Sequence, residues 1–304
     1  MKPVFALAFD HRNSFRTSFM GLAAPPTSEQ TAQMVAAKRV VVDALLRAAP
    51  SVEDGRPTLL IDAEYGGAHV PAARDGGVAI AMPVEVSGRR ELRFEHDGNF
   101  DAVIGNYSPD YAKVLIRYNP DGDQAMNARQ RARLGELAGW LESRPEQLML
   151  ELLVPPEPAQ LAALDGDQFR YDRELRADLT ARAITEIGAD GLRPALWKLE
   201  GPESDTDAAR ISTAVHAVDP AAGCLVLGRG ADSAGVRRWL TTAARTRGFS
   251  GFAVGRTVWW DPLRSFLAGG DREEAVDAIA WNYLDLVVAY RAARSTRLTK
   301  PSAG

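Results

Sequence analysis

Residues 194–201 read Pro-Ala-Leu-Trp-Lys-Leu-Glu-Gly, a short apolar run with a lysine in its middle and a glycine at its end. If this run is a β-strand, its side chains alternate between two faces, so Lys198 and Glu200 share one face while Trp197 and Leu199 share the other. A strand of a closed parallel barrel turns charged side chains inward at its C-terminal end, where the active site lies. The run therefore predicts a barrel strand with Lys198 on its inner face.

Short apolar runs recur eight times along the 304 residues and alternate mostly with segments of helical character. Eight strands separated by helices are typical of an α/β protein with the (β/α)8 TIM-barrel fold, which needs about 250 residues. We expect a single domain, a barrel over residues 1–294, and a flexible tail over residues 295–304. The predicted strands are Val4–Asp10, Thr58–Tyr65, Val78–Glu85, Ala112–Tyr118, Leu148–Val154, Pro194–Glu200, Cys224–Gly228 and Gly251–Val258.

The segments between the predicted strands differ in character. Residues 66–77 are short and rich in glycine, which predicts a reduced or missing helix after the second strand. Residues 89–97 are polar, which predicts a small hairpin or a lid between the third and fourth strands. The predicted helices are Thr27–Ala49, Asp123–Arg144, Asp172–Ile187, Ser204–Val218, Ala231–Arg247 and Pro262–Arg294, the last broken near Gly269-Gly270.

Composition narrows the classes of function. A formal net charge of −4 argues against general nucleic-acid binding through a basic surface. The single cysteine, Cys224, excludes an internal disulfide and a cysteine-cluster metal site, and it favours a reducing compartment. The first ten residues are too short an apolar run for a signal peptide, and no run approaches the ~20 apolar residues of a membrane span. We expect a cytoplasmic protein with neither a nucleic-acid nor a membrane partner.

Strand alternation also assigns charged residues to the inner face. A lysine on this face loses part of its hydration, which favours the neutral, nucleophilic amine, so we expect Lys198 to form a Schiff base with a ketone. Structural interpretations stay open, namely a salt bridge from Lys198 to Glu200 or Glu151, a solvent-facing Lys113, and rim positions for the others. The charged residues on inner faces are Asp10 in phase with Ala6 and Ala8, Asp62 with Glu64, Glu85 after Ala79 and Ala81, Lys113 with Arg117, and Glu151 within an apolar run.

Two glycine–arginine pairs lie where barrels often bind phosphate, after the seventh strand and within the eighth. They are Gly228-Arg229-Gly230 and Gly255-Arg256-Thr257. Glycine lets the backbone approach an anion, and arginine offers two parallel donors. The alternative is that the glycines merely relieve crowding. We predict an anion site at Gly228, Arg229, Gly230, Gly255 and Arg256.

The sequence gives little support for a metal or another cofactor, and we expect none. The four histidines, His11, His69, His96 and His216, show no paired spacing. A Mg²⁺ site near Asp62, Glu64 and Glu85 stays as an alternative. There is no nucleophile elbow, no P-loop and no dinucleotide fingerprint. We interpret Cys224 as a small core residue.

Four motifs together resemble the 5-dehydro-2-deoxyphosphogluconate aldolase domain of myo-inositol breakdown, which is related to the class I tagatose-bisphosphate and sulfo-sugar phosphate aldolases. The resemblance runs from the first strand to the eighth. That domain is often fused to a sugar kinase, and no kinase portion is present in this chain. The motifs are residues 8–15 (Ala-Phe-Asp-His-Arg-Asn-Ser-Phe), 117–121 (Arg-Tyr-Asn-Pro-Asp), 197–201 (Trp-Lys-Leu-Glu-Gly) and 255–260 (Gly-Arg-Thr-Val-Trp-Trp).

The resemblance implies a role for each of four residues. Lys198 matches the Schiff-base lysine, Glu151 the acid/base glutamate and Lys113 the supporting lysine, while Asp10 matches an aspartate near the reacting carbons. The implied reaction is the cleavage of a ketose phosphate, such as 5-dehydro-2-deoxygluconate 6-phosphate, to dihydroxyacetone phosphate and an aldehyde such as malonate semialdehyde.

Several alternatives to this reading remain. One alternative keeps the aldolase class and changes the substrate to a sulfo-sugar phosphate or a tagatose-type bisphosphate. The candidates for substrate contacts are Arg12, Arg117, Glu200 and residues 89–97. Two further alternatives lie outside this class. One is a metal-dependent sugar-phosphate isomerase or class II aldolase, and the other is a sugar-phosphate-binding protein without activity. A homo-oligomer stays open, because Trp281, Tyr283 and Tyr290 either pack on the barrel or form a subunit contact.

Overall fold

The computed structural model describes residues 2–299, and in it eight parallel strands close into a barrel in chain order. The predicted TIM barrel is therefore confirmed, and so is each of its eight strands, with ends that shift by at most four residues. The strands are β1 Val4–Phe9, β2 Arg56–Ile61, β3 Ala79–Pro83, β4 Tyr111–Arg117, β5 Gln147–Leu153, β6 Leu196–Glu200, β7 Gly223–Leu227 and β8 Phe249–Val254.

Helices connect the strands and cover the outside of the barrel. The segment after β2 is reduced to two short helices, as the glycine-rich sequence predicts. The predicted helix Asp172–Ile187 is two helices, because the chain departs from helical geometry at Leu175. The helices are α1 Ser28–Ala48, α2 Ala63–Gly66, α3 Val70–Asp75, α4 Ile104–Tyr107, α5 Gln124–Leu141, α6 Pro158–Ala162, α7 Gln168–Glu174, α8 Arg176–Ala189, α9 Asp205–Val218, α10 Ser233–Arg245, α11 Arg256–Leu267 and α12 Arg272–Thr299.

The helix ends show why these segments are helical. Thr27 caps α1 with a reciprocal pair of hydrogen bonds, in which its hydroxyl accepts from the amide of Gln30 and the Gln30 side chain accepts from the amide of Thr27. The predicted break near Gly269 is present between α11 and α12, but α11 begins at Arg256, six residues before the predicted start. The last helix also runs to Thr299, into the predicted tail, and residues 300–304 of that tail lie outside the described residues.

The two faces of the strands form two separate cores. Trp197 and Leu199 belong to the large core between the barrel and its helices, together with the buried Cys224. A smaller cluster fills the interior below the C-terminal mouth: Val4, Ala6, Ala8, Leu60, Ala81, Tyr111, Met149, Leu196, Leu225 and Ala253. The predicted inner face of β6 is confirmed, because Leu196 lies in this floor and Lys198 lies one layer above it.

The register of the strands sets which charged residues meet. Glu151 on β5 is paired in register with Lys198 on β6, and Lys113 on β4 is paired with Met149, one layer lower on β5. Since residues two apart on a strand point to the same face, Lys113, Glu151 and Lys198 all project into the mouth of the barrel. The register therefore brings three of the predicted site residues together.

The second strand departs from the prediction. β2 ends at Ile61, and Asp62 caps α2 by accepting a hydrogen bond from the amide of Tyr65. The expectation that Asp62 and Glu64 share a strand face is therefore wrong. Asp62 instead forms a fully buried ion pair with Lys38 of α1. An aspartate after a strand is a strong helix cap, and this preference ends the strand early.

Residues 84–95 form a small antiparallel hairpin, which confirms one of the two structures predicted for the polar segment. The amide of Val86 donates to the carbonyl of Arg93 at 2.8 Å, and the amide of Glu95 donates to the carbonyl of Val84 at 2.9 Å. On α12, Tyr283 and Tyr290 are buried and donate to barrel carbonyls, whereas the side chain of Trp281 is 71% exposed. Within residues 2–299, no helix combines the length and apolar character needed to cross a membrane.

Candidate active site

Lys113 is the centre of the charged cluster at the barrel mouth. Its side chain is buried, and its Nζ lies 2.8 Å from Oδ2 of Asp10, 2.7 Å from Oε1 of Glu85 and 2.8 Å from Oε2 of Glu151. The carboxylates come from the ends of β1 and β3 and from β5. The lysine thus binds three strands together across the barrel interior, and it does not point to solvent.

Lys198 has a simpler environment. Its Nζ lies 2.8 Å from Oε2 of Glu151, the same oxygen that contacts Lys113. Among the ion pairs of residues 2–299, this is the one that involves Lys198, and its side chain is 6% exposed. Lys198 therefore contacts one carboxylate, whereas Lys113 contacts three. Of the two salt bridges considered as alternatives for Lys198, the one to Glu151 is formed and the one to Glu200 is not.

The charges of the cluster follow from burial and from these contacts. Burial alone favours a lower pKa for Lys113, but Asp10, Glu151 and Glu85 outweigh it and raise the pKa of Lys113 well above its usual value. Burial favours a higher pKa for Asp10 and for Glu151, but the positive charges of Lys113 and Lys198 lower both. At neutral pH the cluster holds a charged Lys113 beside ionised Asp10 and Glu151.

Glu85 differs from the other two carboxylates of the cluster. Burial raises its pKa above the usual value, although Lys113 and Arg12 oppose the shift. Its second oxygen, Oε2, is buried and has no hydrogen-bond partner among the described residues. Alternation on β3 predicts an inner-face position for Glu85, but no pattern in the sequence predicts its contact with Lys113.

A cavity of about 420 Å³ opens above the cluster at the C-terminal end of the barrel. Asp10, Lys113, Glu151 and Lys198 all line it. A cavity of this size and depth suits a small polar metabolite. The four residues predicted to be catalytic therefore surround one space, at the end of the barrel where sites of this fold lie.

One side of the cavity carries the predicted anion site. Gly228, Gly230, Gly255 and Arg256 all line it. Arg256 is not in strand β8 as predicted, since the strand ends at Val254 and Arg256 opens α11. A position at the start of a helix suits an anion site, because the first amides of a helix have no partners within the helix and attract anions.

The backbone conformation and the neighbour of Gly230 both favour glycine at this position. Its φ angle is +77°, and a Cβ atom there would lie 2.7 Å from the guanidinium of Arg256. Arg256 therefore packs directly over the loop after β7. Within residues 2–299, Arg256 takes part in no ion pair or side-chain hydrogen bond, so its charge is available to a ligand in the cavity.

Arg229 and Glu200 do not have the free side chains that a phosphate or substrate contact requires. The guanidinium of Arg229 lies 2.7 Å from Asp172 and 3.0 Å from Glu200. Glu200 also accepts a hydrogen bond from the amide of Val154 and lies 3.6 Å from the buried Arg176. These four charged side chains join the ends of β6 and β7 to α7 and α8. Arg229 lines the cavity, but its charge is already balanced.

The opposite side of the cavity is formed by the hairpin and two further arginines. Arg12 is buried, pairs with Glu95 and donates to the carbonyl of Glu85 at 2.8 Å, so it holds the hairpin against the loop after β1. Arg117 donates to the carbonyl of Arg89 at 2.7 Å and lines the cavity. No ion pair in the described part of the chain involves Arg117. Arg12 therefore has a structural role, whereas the charge of Arg117 is not balanced by an ion pair in the described chain.

Sequence reasoning missed the buried pair of Lys38 and Asp62. Nζ of Lys38 contacts this carboxylate and also donates to the carbonyls of Phe9 at 2.5 Å and His11 at 3.3 Å. These carbonyls flank Asp10, so the pair fixes the turn that carries it. A lysine within an apolar helix face, between Ala37 and Val40, is the signal that would have revealed it.

The carboxylates proposed as an alternative metal site are not brought together. Asp62 is paired with Lys38, Glu85 contacts Lys113, and Glu64 is exposed. Across residues 2–299, no group of three or more histidine, cysteine, aspartate or glutamate side chains is placed to hold a metal ion.

Solved structures share this barrel over nearly the whole chain. Fructose-bisphosphate aldolase from Plasmodium falciparum is 12% identical and covers 97% of this chain and 91% of its own, with a TM-score of 0.64. Cgl0159 from Corynebacterium glutamicum is 17% identical and covers 93% and 86%, with a TM-score of 0.56. An archaeal fructose-1,6-bisphosphate aldolase, solved with its catalytic lysine covalently bound to a carbinolamine intermediate, is 14% identical and covers 93% and 94%, with a TM-score of 0.51. At these identities the likeness shows the fold.

The family of the chain follows from its sequence. Residues 1–294 match the family of uncharacterized proteins conserved in bacteria, DUF2090, and the chain belongs to this family. No curated protein matches the chain.

Proposed function

We propose that this protein is a class I aldolase, which cleaves a ketose phosphate through a Schiff base on Lys198. The observation that carries the proposal is the contrast between the two buried lysines. Lys113 is held charged by three carboxylates, whereas Lys198 has one and faces the cavity beside Glu151. Lys113 stays charged between its three carboxylates, so Lys198 is the lysine that supplies the nucleophilic amine.

The reaction begins at the ketone. The Lys198 amine attacks the ketone carbon to give a carbinolamine, which loses water to form a protonated imine. Glu151 supplies and removes the protons of these steps, since its carboxylate lies 2.8 Å from the amine. Lys113 stays charged, orients Glu151 and keeps it ionised between turnovers.

Cleavage of the carbon–carbon bond follows. The hydroxyl of the carbon that leaves as the aldehyde gives its proton to a carboxylate, Glu151 or Asp10. The electron pair of the breaking bond moves into the imine and forms an enamine. Protonation of the enamine carbon and hydrolysis of the imine then release dihydroxyacetone phosphate and regenerate Lys198.

The two sides of the cavity fit the two ends of such a substrate. Arg256, the first amides of α11 and the glycines of the β7 loop suit a phosphate. Arg117 and the hairpin suit the aldehyde half. We propose 5-dehydro-2-deoxygluconate 6-phosphate as the substrate, as in inositol breakdown, with sulfo-sugar phosphates and tagatose-type bisphosphates as alternatives. The class I aldolases that share the fold support the reaction type, not the substrate.

A product assay tests this proposal. The protein is incubated with a panel of ketose phosphates, and dihydroxyacetone phosphate is measured with a coupled dehydrogenase, with and without EDTA. We expect release from one member of the panel, undiminished by EDTA and absent in Lys198→Ala. Cleavage that EDTA abolishes, or that survives in Lys198→Ala, would contradict the proposal, and tight binding of the whole panel without cleavage would indicate a binding protein.

A further inference from the structure

His11 is a cavity residue to which the proposed chemistry gives no role. It follows Asp10 directly and lines the cavity together with Lys198 and Arg256. Its ring packs edge-on against the buried indole of Trp259, with centroids 5.6 Å apart, and its carbonyl accepts a hydrogen bond from Lys38. Trp259 thus holds the ring of His11, and Lys38 holds its backbone.

The two ring nitrogens of His11 have different surroundings. Nδ1 is buried without a hydrogen-bond partner in the described chain, and the nearest carboxylate oxygen, Oδ1 of Asp10, is 4.0 Å away. Nε2 is accessible and has no hydrogen bond within residues 2–299, and since His11 lines the cavity, Nε2 is the ring nitrogen that a ligand there can reach. Since a carboxylate favours an N–H beside it, the proton of the neutral ring belongs on Nδ1 and the lone pair on Nε2.

The ring is neutral at physiological pH. Burial lowers the pKa of His11 to about 4, with help from the positive charges of Lys198 and Arg256 and against the charge of Asp10. A base this weak is poorly suited to remove a proton from carbon or oxygen near neutral pH. A lone pair also repels phosphate or carboxylate oxygens. The ligand group that fits Nε2 is a neutral hydrogen-bond donor, and in a sugar phosphate that donor is a hydroxyl.

We propose that Nε2 of His11 accepts a hydrogen bond from the substrate hydroxyl on the carbon beside the ketone, and so selects hydroxylated over deoxygenated ketone phosphates. The inference rests on the proposed function, because it takes the ketone to lie at Lys198 and the phosphate at Arg256. His11 lines the same cavity as Lys198 and Arg256, which puts it within reach of that short fragment. His11 is then a specificity-determining residue distinct from the proton-transferring carboxylates.

Two ligands differ in this hydroxyl alone, dihydroxyacetone phosphate and hydroxyacetone phosphate. Their dissociation constants are measured by calorimetry for the wild type, His11→Phe, which keeps a ring against Trp259, and His11→Gln, which keeps an acceptor. We expect the wild type to prefer dihydroxyacetone phosphate by about tenfold, the size of one net hydrogen bond. His11→Gln should retain part of this preference, and His11→Phe should bind both ligands equally. A wild type without preference, or His11→Phe with the wild-type preference, overturns the inference.

A second measurement needs no variant and separates this inference from the proposed function. In wild-type protein labelled with ¹⁵N-histidine, the Nε2 resonance of His11 should move further with dihydroxyacetone phosphate than with hydroxyacetone phosphate, because only the first ligand donates a hydrogen bond to this nitrogen. An equal response to both ligands overturns the inference. Borohydride reduction is run in parallel with both ligands. An adduct on Lys198 without a selective His11 response contradicts the role of His11 alone, whereas the absence of any adduct contradicts the proposed function.

Discussion

Glu151 and Lys198 are paired in register on neighbouring strands, and Oε2 of the glutamate lies 2.8 Å from Nζ of the lysine. The same oxygen lies 2.8 Å from Nζ of Lys113. One carboxylate therefore links a lysine held charged by three acids to a lysine with a single acidic neighbour. In the proposed reaction this link lets Glu151 exchange protons with Lys198 while Lys113 keeps it ionised.

Changing Glu151 to Gln removes the proton carrier and keeps the shape of the side chain. We expect turnover to fall by about 10²–10⁴, the usual effect of losing a general acid–base group. Steady-state kinetics with the substrate found in the panel gives the measurement. Glu146→Gln is the matched control, because Glu146 is a buried glutamate at the opposite end of β5. Wild-type turnover in Glu151→Gln would show that this residue is structural.

Arg256 should contribute to binding the phosphate. Removing a charge-assisted hydrogen bond costs about 1.5–3 kcal/mol, so Arg256→Ala should raise KM roughly 10- to 100-fold with a smaller change in kcat. Arg264→Ala, an exposed arginine on the same helix, should leave KM unchanged. The same kinetics are measured with a dephosphorylated analogue. An equal loss of affinity for that analogue would rule out a phosphate contact.

Asp10 should make stability depend on pH in the acid range. Although burial opposes it, the positive charge of Lys113 holds the pKa of Asp10 below its usual value of about 4. A lowered folded-state pKa stabilises the protein above the unfolded-state value, and that stability is lost as the pH falls. We expect the free energy of unfolding to fall less between pH ~5 and ~2 in Asp10→Asn than in the wild type, by about 1–3 kcal/mol.

Chemical denaturation across this pH range measures the effect of Asp10. Asp190→Asn serves as the control, because Asp190 is half exposed and pairs with Arg131 at the surface. Its acid dependence should match that of the wild type. If Asp10→Asn also follows the wild type, the ionised Asp10 contributes nothing to folding through Lys113.

The parts of the site that lie within strands were predictable from the sequence. Alternation along a strand is strict, so Lys113, Glu151 and Lys198 each had a defined face once the strands were recognised. Asp10 follows β1 directly and keeps the phase of Ala6 and Ala8. These four residues line one cavity, and their catalytic roles remain predictions.

The parts that depend on helices were not predictable. Arg229 pairs with Asp172, 57 residues away on α7, and no pattern in the sequence relates the two positions. The error at Asp62 has a local cause, because an aspartate after a strand reads equally as its last residue or as a helix cap. The start of α11 at Arg256 was missed since the apolar run continues through Val258, and helix and strand are hard to distinguish in such runs.

The central claim is that Lys198 forms the Schiff base, and borohydride trapping during turnover tests it directly. Mass spectrometry of the digested protein should show a stable mass increase on the peptide that contains Trp197-Lys198-Leu199. Lys198→Ala and Lys198→Arg should lose both the adduct and the cleavage, since arginine stays charged. An active enzyme without an adduct at saturating substrate, or with its adduct on Lys113, would contradict this account.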